Sequence, residues 1–428
     1  MSGPIGQATE LLRTSGRVLV WSVLAVLANA VSGVLSARAL MVADKGLLAM
    51  VLTIGGLLWV ATSLGTNVAL RVRYPAGDRT LTLRDYLRVS CELLVLQAGC
   101  TAMLFGAARV WLAEVPVSLV FLGLVLTLSL TTFVSSQLLD ALHAIGRSAE
   151  ATRTDAAGAA TTAVCVLAAG LGSGGGRGVT VLVACYVAGY LVRIAVAALG
   201  LVALDPRHGA RGSRAGRAEL LRAGLPFLGF NVGQVVAFRA DRYLLGLLST
   251  TAAAGLYSVA TTPAELLRLP VTALGQVLMQ RTAATGTTLA AVRRACVLTV
   301  AVTVPPAVVL FAVADPVVGW VFGPRYAAAG GVLRVMVVSE VAVALFLVMS
   351  RIAAGAGLAR STGVATVAGA VAGVGTLCLL APAHGAVGAA WASLVGYVVM
   401  TVFVLPPLVR HARRQPTRVP PEEVWTGR

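Results

Sequence analysis

The chain has 428 residues, of which 58% are hydrophobic and 12% charged, and its mean hydropathy is +0.87. Soluble domains carry roughly a quarter charged residues, so this composition excludes an ordinary soluble fold. The formal net charge is +17, but the basic residues cluster in alternate short gaps between apolar runs, which argues against a nucleic-acid-binding protein.

The predicted elements are long apolar segments that follow one another from about residue 18 to residue 409. Each is long enough to cross a bilayer, because about 20 helical residues span about 30 Å of hydrocarbon. The pattern predicts an all-α polytopic membrane protein with twelve transmembrane helices. The predicted spans are 18–40, 47–70, 89–112, 117–140, 156–172, 179–204, 223–248, 254–280, 295–314, 331–354, 361–381 and 386–409.

The basic residues indicate how the spans are oriented. Of the 34 lysines and arginines, 24 lie at the N-terminus or after even-numbered spans, and five lie on the opposite side. Cytoplasmic loops of membrane proteins carry the excess of Lys and Arg, so this asymmetry predicts that both termini are cytoplasmic.

The longest polar break, at 205–222, separates two blocks of six spans. Its arginines either anchor the topology or contact anionic lipid head groups. The predicted organisation is an N-terminal six-helix lobe at 1–204, a basic cytoplasmic linker at 205–222, a C-terminal six-helix lobe at 223–409 and a cytoplasmic tail at 410–428.

A faint internal repeat supports two halves. Gly46 and Gly255 begin spans two and eight, and Gly65 and Gly275 follow them by 19 and 20 residues. The two segments are six spans apart and run in the same direction, which is typical of transporters built from parallel repeats.

Ionisable residues inside several spans are the main functional signal. Such groups cost about 2.5–3.5 kcal/mol each on insertion scales, so they usually face a cavity or a charged partner. In span seven, two arginines three residues apart share one helix face, and span eight carries an acid and an arginine at similar depth. The residues predicted to line a substrate-binding cavity are Arg38, Arg239, Asp241, Arg242, Glu265, Arg268 and Glu340.

Two interpretations of these charges compete. In the first, arginine forks bind phosphate groups of an anionic substrate, while the acids accept hydrogen bonds from sugar hydroxyls. In the second, Asp241 pairs with Arg239 or Arg242, and Glu265 pairs with Arg268. The groups then only neutralise one another and hold helices together.

Prolines in two spans predict bent or discontinuous helices. Pro263 and Pro270 are expected to interrupt span eight, and Pro305 and Pro306 to interrupt span nine. Broken helices beside charged groups are typical of transporters, although proline is also common in membrane helices generally.

The sequence contains no nucleotide-binding, zinc-protease or serine-hydrolase motif, and its His and Cys residues show no metal-ligand spacing. We therefore predict a protein that is not an enzyme and that uses no cofactor or metal. Its driving force would come from an ion or voltage gradient, or from the gradient of the substrate itself.

Several segments resemble the polysaccharide and O-antigen flippases of the multidrug/oligosaccharidyl-lipid/polysaccharide exporter superfamily. They match that family in order along nearly the whole chain, at the end of span one, across spans seven and eight, before span ten and at the start of span twelve. The segments are 36–40 (SARAL), 44–47 (DKGL), 241–246 (DRYLLG), 255–260 (GLYSVA), 322–326 (FGPRY) and 385–393 (GAVGAAWAS).

The resemblance implies twelve helices in two six-helix lobes around a central cavity, in a bacterial plasma membrane. It implies alternating access and a polyprenyl-diphosphate-linked oligosaccharide as substrate, moved from the cytoplasmic to the outer leaflet for cell-surface polysaccharide synthesis. Arg38, Asp241 and Arg242 match motif positions of that family. The expected partners are this substrate, membrane lipids and a coupling ion, without nucleic acid.

Two other functions stay open from the sequence. The first is a multidrug exporter of the same superfamily, coupled to Na⁺ or H⁺, in which isolated acids and aromatics would be expected in the cavity. Arginines accompany the acids here, which favours an anionic substrate. The second is a membrane scaffold without transport, which would have no hydrophilic cavity.

Overall fold

A computed structural model describes residues 4–74, 82–111, 118–170, 178–204 and 213–414. Within these ranges the chain forms fourteen α-helices and one short 3-10 helix, and no strand. The helices are α1 (Pro4–Ala39), α2 (Val42–Thr62), α3 (Thr66–Arg73), α4 (Leu83–Trp111), α5 (Leu119–Ala144), α6 (Ser148–Gly170), α7 (Gly178–Leu204), α8 (Arg214–Leu248), α9 (Thr251–Glu265), α10 (Arg268–Thr285), α11 (Leu289–Ala312), α12 (Ala314–Phe322), the 3-10 turn Pro324–Tyr326, α13 (Ala329–Gly355) and α14 (Ala359–Arg414).

The helices have the length and surface of membrane spans. Eight of those in the described ranges are long and apolar enough to cross a bilayer, by length and composition. Large apolar side chains such as Val110, Leu119 and Trp320 lie exposed, which suits a surface covered by lipid tails. Each of the twelve predicted spans overlaps a described helix, and the prediction of an all-α polytopic membrane protein is confirmed.

The described chain forms two compact units. Unit 1 comprises Met1–Val235 with Thr250–Gly255, and unit 2 comprises Val236–Ser249 with Leu256–Arg428. Residues 205–212 of the predicted linker and 415–428 of the predicted tail lie outside the described residues. The division into lobes at 205–222 therefore stays a prediction.

Close helix crossings in unit 1 depend on glycine. A Cβ atom at Gly46 of α2 would lie 1.7 Å from the carbonyl oxygen of Thr251, and one at Gly255 of α9 would lie 2.0 Å from that of Val42. The two helices therefore touch through their backbones at this point. Small residues permit such contact between membrane helices, and no other residue would fit here.

Predicted span two is divided at Gly65, where the sequence analysis predicted no break. Gly65 adopts a φ of 73° between α2 and α3, a left-handed conformation that favours glycine. A Cβ atom there would lie 2.2 Å from the carbonyl oxygen of Gly224. Gly65 thus precedes the first residue of α3 and lets this point of the chain lie against α8.

Unit 2 has an apolar core centred on α13. Val271 of α10, Val292 of α11 and Met400 of α14 are buried in one cluster with Phe346 of α13. This core holds the helices whose polar side chains are described below.

The long helix α14 turns back on itself at Gly385, whose φ of 52° and ψ of −130° are not helical. Gly369 and Gly396 then lie against each other on the two arms, since a Cβ atom at either would approach the other's carbonyl oxygen to 3.0 Å or less. The two arms correspond to predicted spans eleven and twelve.

The proline predictions had different outcomes. Span eight is discontinuous: α9 ends at Glu265 and α10 begins at Arg268. The predicted interruption of span nine is wrong, because α11 continues through Pro305 and Pro306. Helices in membranes tolerate proline where neighbouring groups satisfy the freed backbone atoms.

Candidate functional site

Six of the seven candidate residues belong to unit 2. Helix α8 carries Arg239, Asp241 and Arg242, and the break between α9 and α10 places Glu265 and Arg268 at adjoining helix ends. The sixth, Glu340, comes from α13. The seventh, Arg38, belongs to unit 1, where it is exposed in the last turn of α1.

Arg268 and Glu340 form a buried two-pronged ion pair. The Nε and Nη2 atoms of Arg268 donate to the two carboxylate oxygens of Glu340 at 2.5 and 2.6 Å. The Glu340 side chain is 0% exposed, so this pair supplies the charge compensation that a buried carboxylate needs.

Aromatic rings surround the guanidinium of Arg268. Its Cζ lies 5.9 Å from the ring centroid of Phe238 and 5.7 Å from that of Tyr397, and these two rings stack on each other. Cation–π attraction adds to the ion pair and fixes the plane of the guanidinium. Arg268 is thus held by two of its nitrogen atoms and by two aromatic rings.

Arg242 is only partly satisfied. Its Nη2 atom donates to Glu265 Oε1 at 2.6 Å and to Thr261 Oγ1 at 3.0 Å. Its Nε atom is buried and has no hydrogen-bond partner among the described residues. A buried donor without an acceptor is costly, so Arg242 has capacity for one further oxygen.

Asp241 is held by donors from two helices. Its Oδ1 atom accepts from the backbone N–H of Arg242 at 2.8 Å, and its Oδ2 atom accepts from the hydroxyl of Tyr257. That hydroxyl also lies 2.8 Å from Ser393 Oγ on α14. The chain of contacts links α8, α9 and α14.

A small cavity lies beside this chain of contacts. Its volume is about 20 Å³, and its lining includes Asp241, Ser393 and three glycines of α14. The volume suits one water molecule, which would find polar partners on two of the lining residues.

Arg239 differs from the other two arginines of unit 2 that were predicted to bind substrate. It is exposed, and no carboxylate of the described residues lies within ion-pair distance of it. An exposed cation within a membrane span needs water or an anionic partner. Among the three candidate arginines of unit 2, Arg239 is thus the one whose charge is not balanced by a carboxylate of the described residues.

The expected ion pairs were wrong in their partners. Glu265 pairs with Arg242 rather than with Arg268, and Arg268 pairs with Glu340 on α13. Neighbours three apart on a continuous helix would meet, but the break in span eight turns these two side chains towards other helices.

The sequence interpretation also missed the uncharged partners Thr261, Tyr257, Ser393, Tyr397 and Phe238. Hydroxyl-bearing residues in otherwise apolar spans were the available signal, and it is weak because such residues commonly bond to their own helix, as Ser393 also does to the carbonyl of Ala389. Among the described residues, no group of three metal-ligating side chains occurs, and the absence of a metal stays a prediction.

Solved structures with similar folds are transporters. The chain matches an inward-facing multidrug resistance MATE family transporter of the MOP superfamily (TM-score 0.67, 16% identity, 88% of this chain and 92% of the other). It matches the lipid II flippase MurJ in an inward closed conformation (TM-score 0.73, 12% identity, 92% and 87%). It also matches a MOP superfamily transporter from Pyrococcus furiosus, described as having a binding pocket of reverse polarity (TM-score 0.58, 15% identity, 92% and 93%).

These likenesses show a shared transporter fold. No curated protein matches the sequence. The family model described as "polysaccharide biosynthesis protein" matches residues 34–330, which is more than half of the chain and includes most of the candidate site. The chain therefore belongs to the polysaccharide biosynthesis protein family and has the fold of the MOP-superfamily transporters.

Proposed function

We propose that this protein flips polyprenyl-diphosphate-linked oligosaccharides across a bacterial plasma membrane, for synthesis of a cell-surface polysaccharide. The family assignment and the transporter fold support membrane transport of this class. The translocation would proceed by alternating access and would make or break no covalent bond. Both termini would lie in the cytoplasm.

The observation that carries the proposal is the unequal pairing of the three candidate arginines of unit 2, which are Arg239, Arg242 and Arg268. Arg268 and Arg242 each hold a carboxylate, while Arg239 is exposed without one among the described residues. A guanidinium presents planar donors that match phosphate oxygens, so Arg239 is the residue we assign to the diphosphate.

The remaining charges suit the sugar part of the substrate. The six candidate residues of unit 2 are three acids and three arginines, so their formal charges cancel. Glu265 keeps 29% of its side chain exposed while bound to Arg242, and can accept hydrogen bonds from hydroxyl groups. Candidate residues with no net charge and one exposed cation, Arg239, suit a ligand that joins a diphosphate to sugars.

The test is lipid flipping by the purified full chain in vesicles. A polyprenyl-diphosphate oligosaccharide with a fluorescent sugar is incorporated, and its appearance in the opposite leaflet is followed by external quenching. We expect Arg239→Gln to lower the initial rate at least tenfold and Arg239→Lys to retain part of it, because Lys keeps the charge but not the fork. The matched control is Arg294→Gln, which removes an exposed arginine at the start of α11 and should leave the rate unchanged.

Equal rates for Arg239→Gln and the original protein would contradict the assignment of Arg239. Absence of flipping by the original protein would contradict the function itself.

The second candidate function is a cation-coupled multidrug exporter, which the fold of the MATE family transporter favours. In that case an organic cation such as ethidium would be exported by the vesicles in response to a Na⁺ or H⁺ gradient. Arg239→Gln would then leave export unchanged or raise it, because removal of a positive charge favours a cationic substrate.

A further inference from the structure

A groove in unit 1 lies between the end of α3 and the start of α8. The two helices touch where Gly65 meets Gly224, and beyond that contact they enclose a cavity of about 370 Å³. Its lining is Ala69, Val72, Arg73, Glu219, Arg222, Ala223 and Phe227. A volume above about 300 Å³ is large enough for a small ligand or a lipid head group.

The groove has one cation in excess. Arg73 Nη1 donates to Glu219 Oε1 at 2.6 Å, so Glu219 is already compensated. Arg222 is exposed on the next turn of α8 and forms no ion pair within the described part of the chain. The formal charge of the lining is therefore +1, which matches an anion carrying a single negative charge.

The groove is also apolar on one side. Val72 is 58% exposed and Leu225, close to the groove on α8, is 54% exposed, while Phe227 lies in the wall. Exposed apolar side chains next to arginines at helix ends are typical of the boundary between acyl tails and head groups. The arginines after span two belong to the set that predicts the cytoplasmic side.

We propose that an anionic phospholipid of the surrounding bilayer binds in this groove, with its phosphate on Arg222 and Arg73 and its first methylene groups on Val72 and Phe227. Basic pockets between transmembrane helices on the cytoplasmic side bind such head groups. A diphosphate-linked substrate fits less well, because its additional negative charge would face Glu219. The binding does not depend on the transport function proposed above.

The test is a titration of the detergent-solubilised full chain with short-chain phosphatidylglycerol, read as the rise in unfolding temperature. We expect Arg222→Gln to raise the apparent Kd about fivefold, as for loss of one surface arginine contact. Glu219→Gln should lower the apparent Kd, because it removes the competing acid. Arg293→Gln, which removes an exposed arginine of α11, is the control and should change nothing.

Three further probes identify the ligand. Phosphatidylcholine and inorganic phosphate should give no saturable shift, since the first lacks net charge and the second lacks acyl chains. An equal response to inorganic phosphate would overturn the proposal in favour of a plain anion site. Tighter binding of a polyprenyl diphosphate, weakened by Arg222→Gln, would overturn it in favour of a substrate-docking site.

The phosphatidylglycerol affinities of the two variants also test the proposal. Unchanged phosphatidylglycerol affinity in Arg222→Gln, or weaker affinity in Glu219→Gln, would also overturn the proposal. Arg222 is exposed, so its substitution should leave the unfolding temperature without lipid unchanged, which separates loss of binding from misfolding.

Discussion

At the scale of single residues, Glu340 is a buried acid whose charge depends on one partner, Arg268. Its side chain is 0% exposed and both oxygens are bound by Arg268. Removal of one partner from a buried pair leaves an uncompensated charge, whereas removal of both leaves only a packing defect. The pair should therefore respond very differently to single and double substitution.

Arg268→Leu should lower the free energy of unfolding by about 3–5 kcal/mol, because Glu340 would stay buried without its cation. The double variant Arg268→Leu/Glu340→Leu should lose less than this single variant. Unfolding in detergent, followed by tryptophan fluorescence, measures the whole double-mutant cycle.

The comparison pair is Arg334 and Asp315, whose side chains are 37% and 58% exposed. Arg334→Leu should cost no more than about 1 kcal/mol, since exposed ion pairs contribute little. Strictly additive losses for Arg268 and Glu340 would contradict the coupling between them.

The sequence indicated which charged residues lie within spans, but it did not predict which of them form ion pairs with one another. Arg239, Asp241, Arg242, Glu265 and Arg268 all belong to unit 2, and their role in lining a substrate cavity stays a prediction. The pairing of Arg268 with Glu340 joins residues 72 positions apart, and no local spacing rule connects them. Such pairs depend on how helices pack.

At the scale of helices, α2 and α9 touch through their backbones at Gly46 and Gly255 of unit 1. Gly46→Ala should destabilise the protein by about 1–3 kcal/mol, because the added methyl group cannot fit without separating α2 and α9. Gly56→Ala on the same helix is the matched control, since no atom lies within 4 Å of its Cβ position. It should be neutral or stabilise by about 0.5–1 kcal/mol. Equal effects of the two changes on the unfolding temperature would contradict the crossing.

The turn in α14 gives a second comparison between glycines. Gly385→Ala should destabilise by about 1–3 kcal/mol, because a φ of 52° with a ψ of −130° is strained for any residue with a side chain. Gly375→Ala, in a helical and open position of the same element, should show no loss. Thermal unfolding of both variants checks this, and a stable Gly385→Ala variant would mean that the two arms do not turn here.

The positions of the spans were predictable because hydropathy determines them. The breaks within spans were less predictable because they depend on the backbone angles of single residues. The turn at Gly385 lies in the gap between the predicted spans 361–381 and 386–409. The break at Gly65 was missed, because a lone glycine in an apolar run is ordinary in membrane helices. The proline pattern predicted the break in span eight correctly and a break in span nine wrongly. The consequence of a proline depends on its neighbours in other helices.

At the scale of the whole molecule, the charge asymmetry predicts the orientation in the membrane. Green fluorescent protein fused after residue 414 should fluoresce, because it folds in the cytoplasm, and alkaline phosphatase fused after residue 326 should be active, because it folds outside. Phosphatase fused after residue 288 should be inactive. Activity at 288 together with inactivity at 326 would reverse the orientation and contradict the charge-based prediction.

The division of the chain between the two units has a consequence for dissecting the protein. The backbone passes from one unit to the other at three places, after Val235, after Ser249 and after Gly255. No single scission can therefore release either unit with all of its own residues. If the chain is produced as two fragments divided within 205–212, the fragments should assemble when they are produced together. Neither fragment should form a stable product alone.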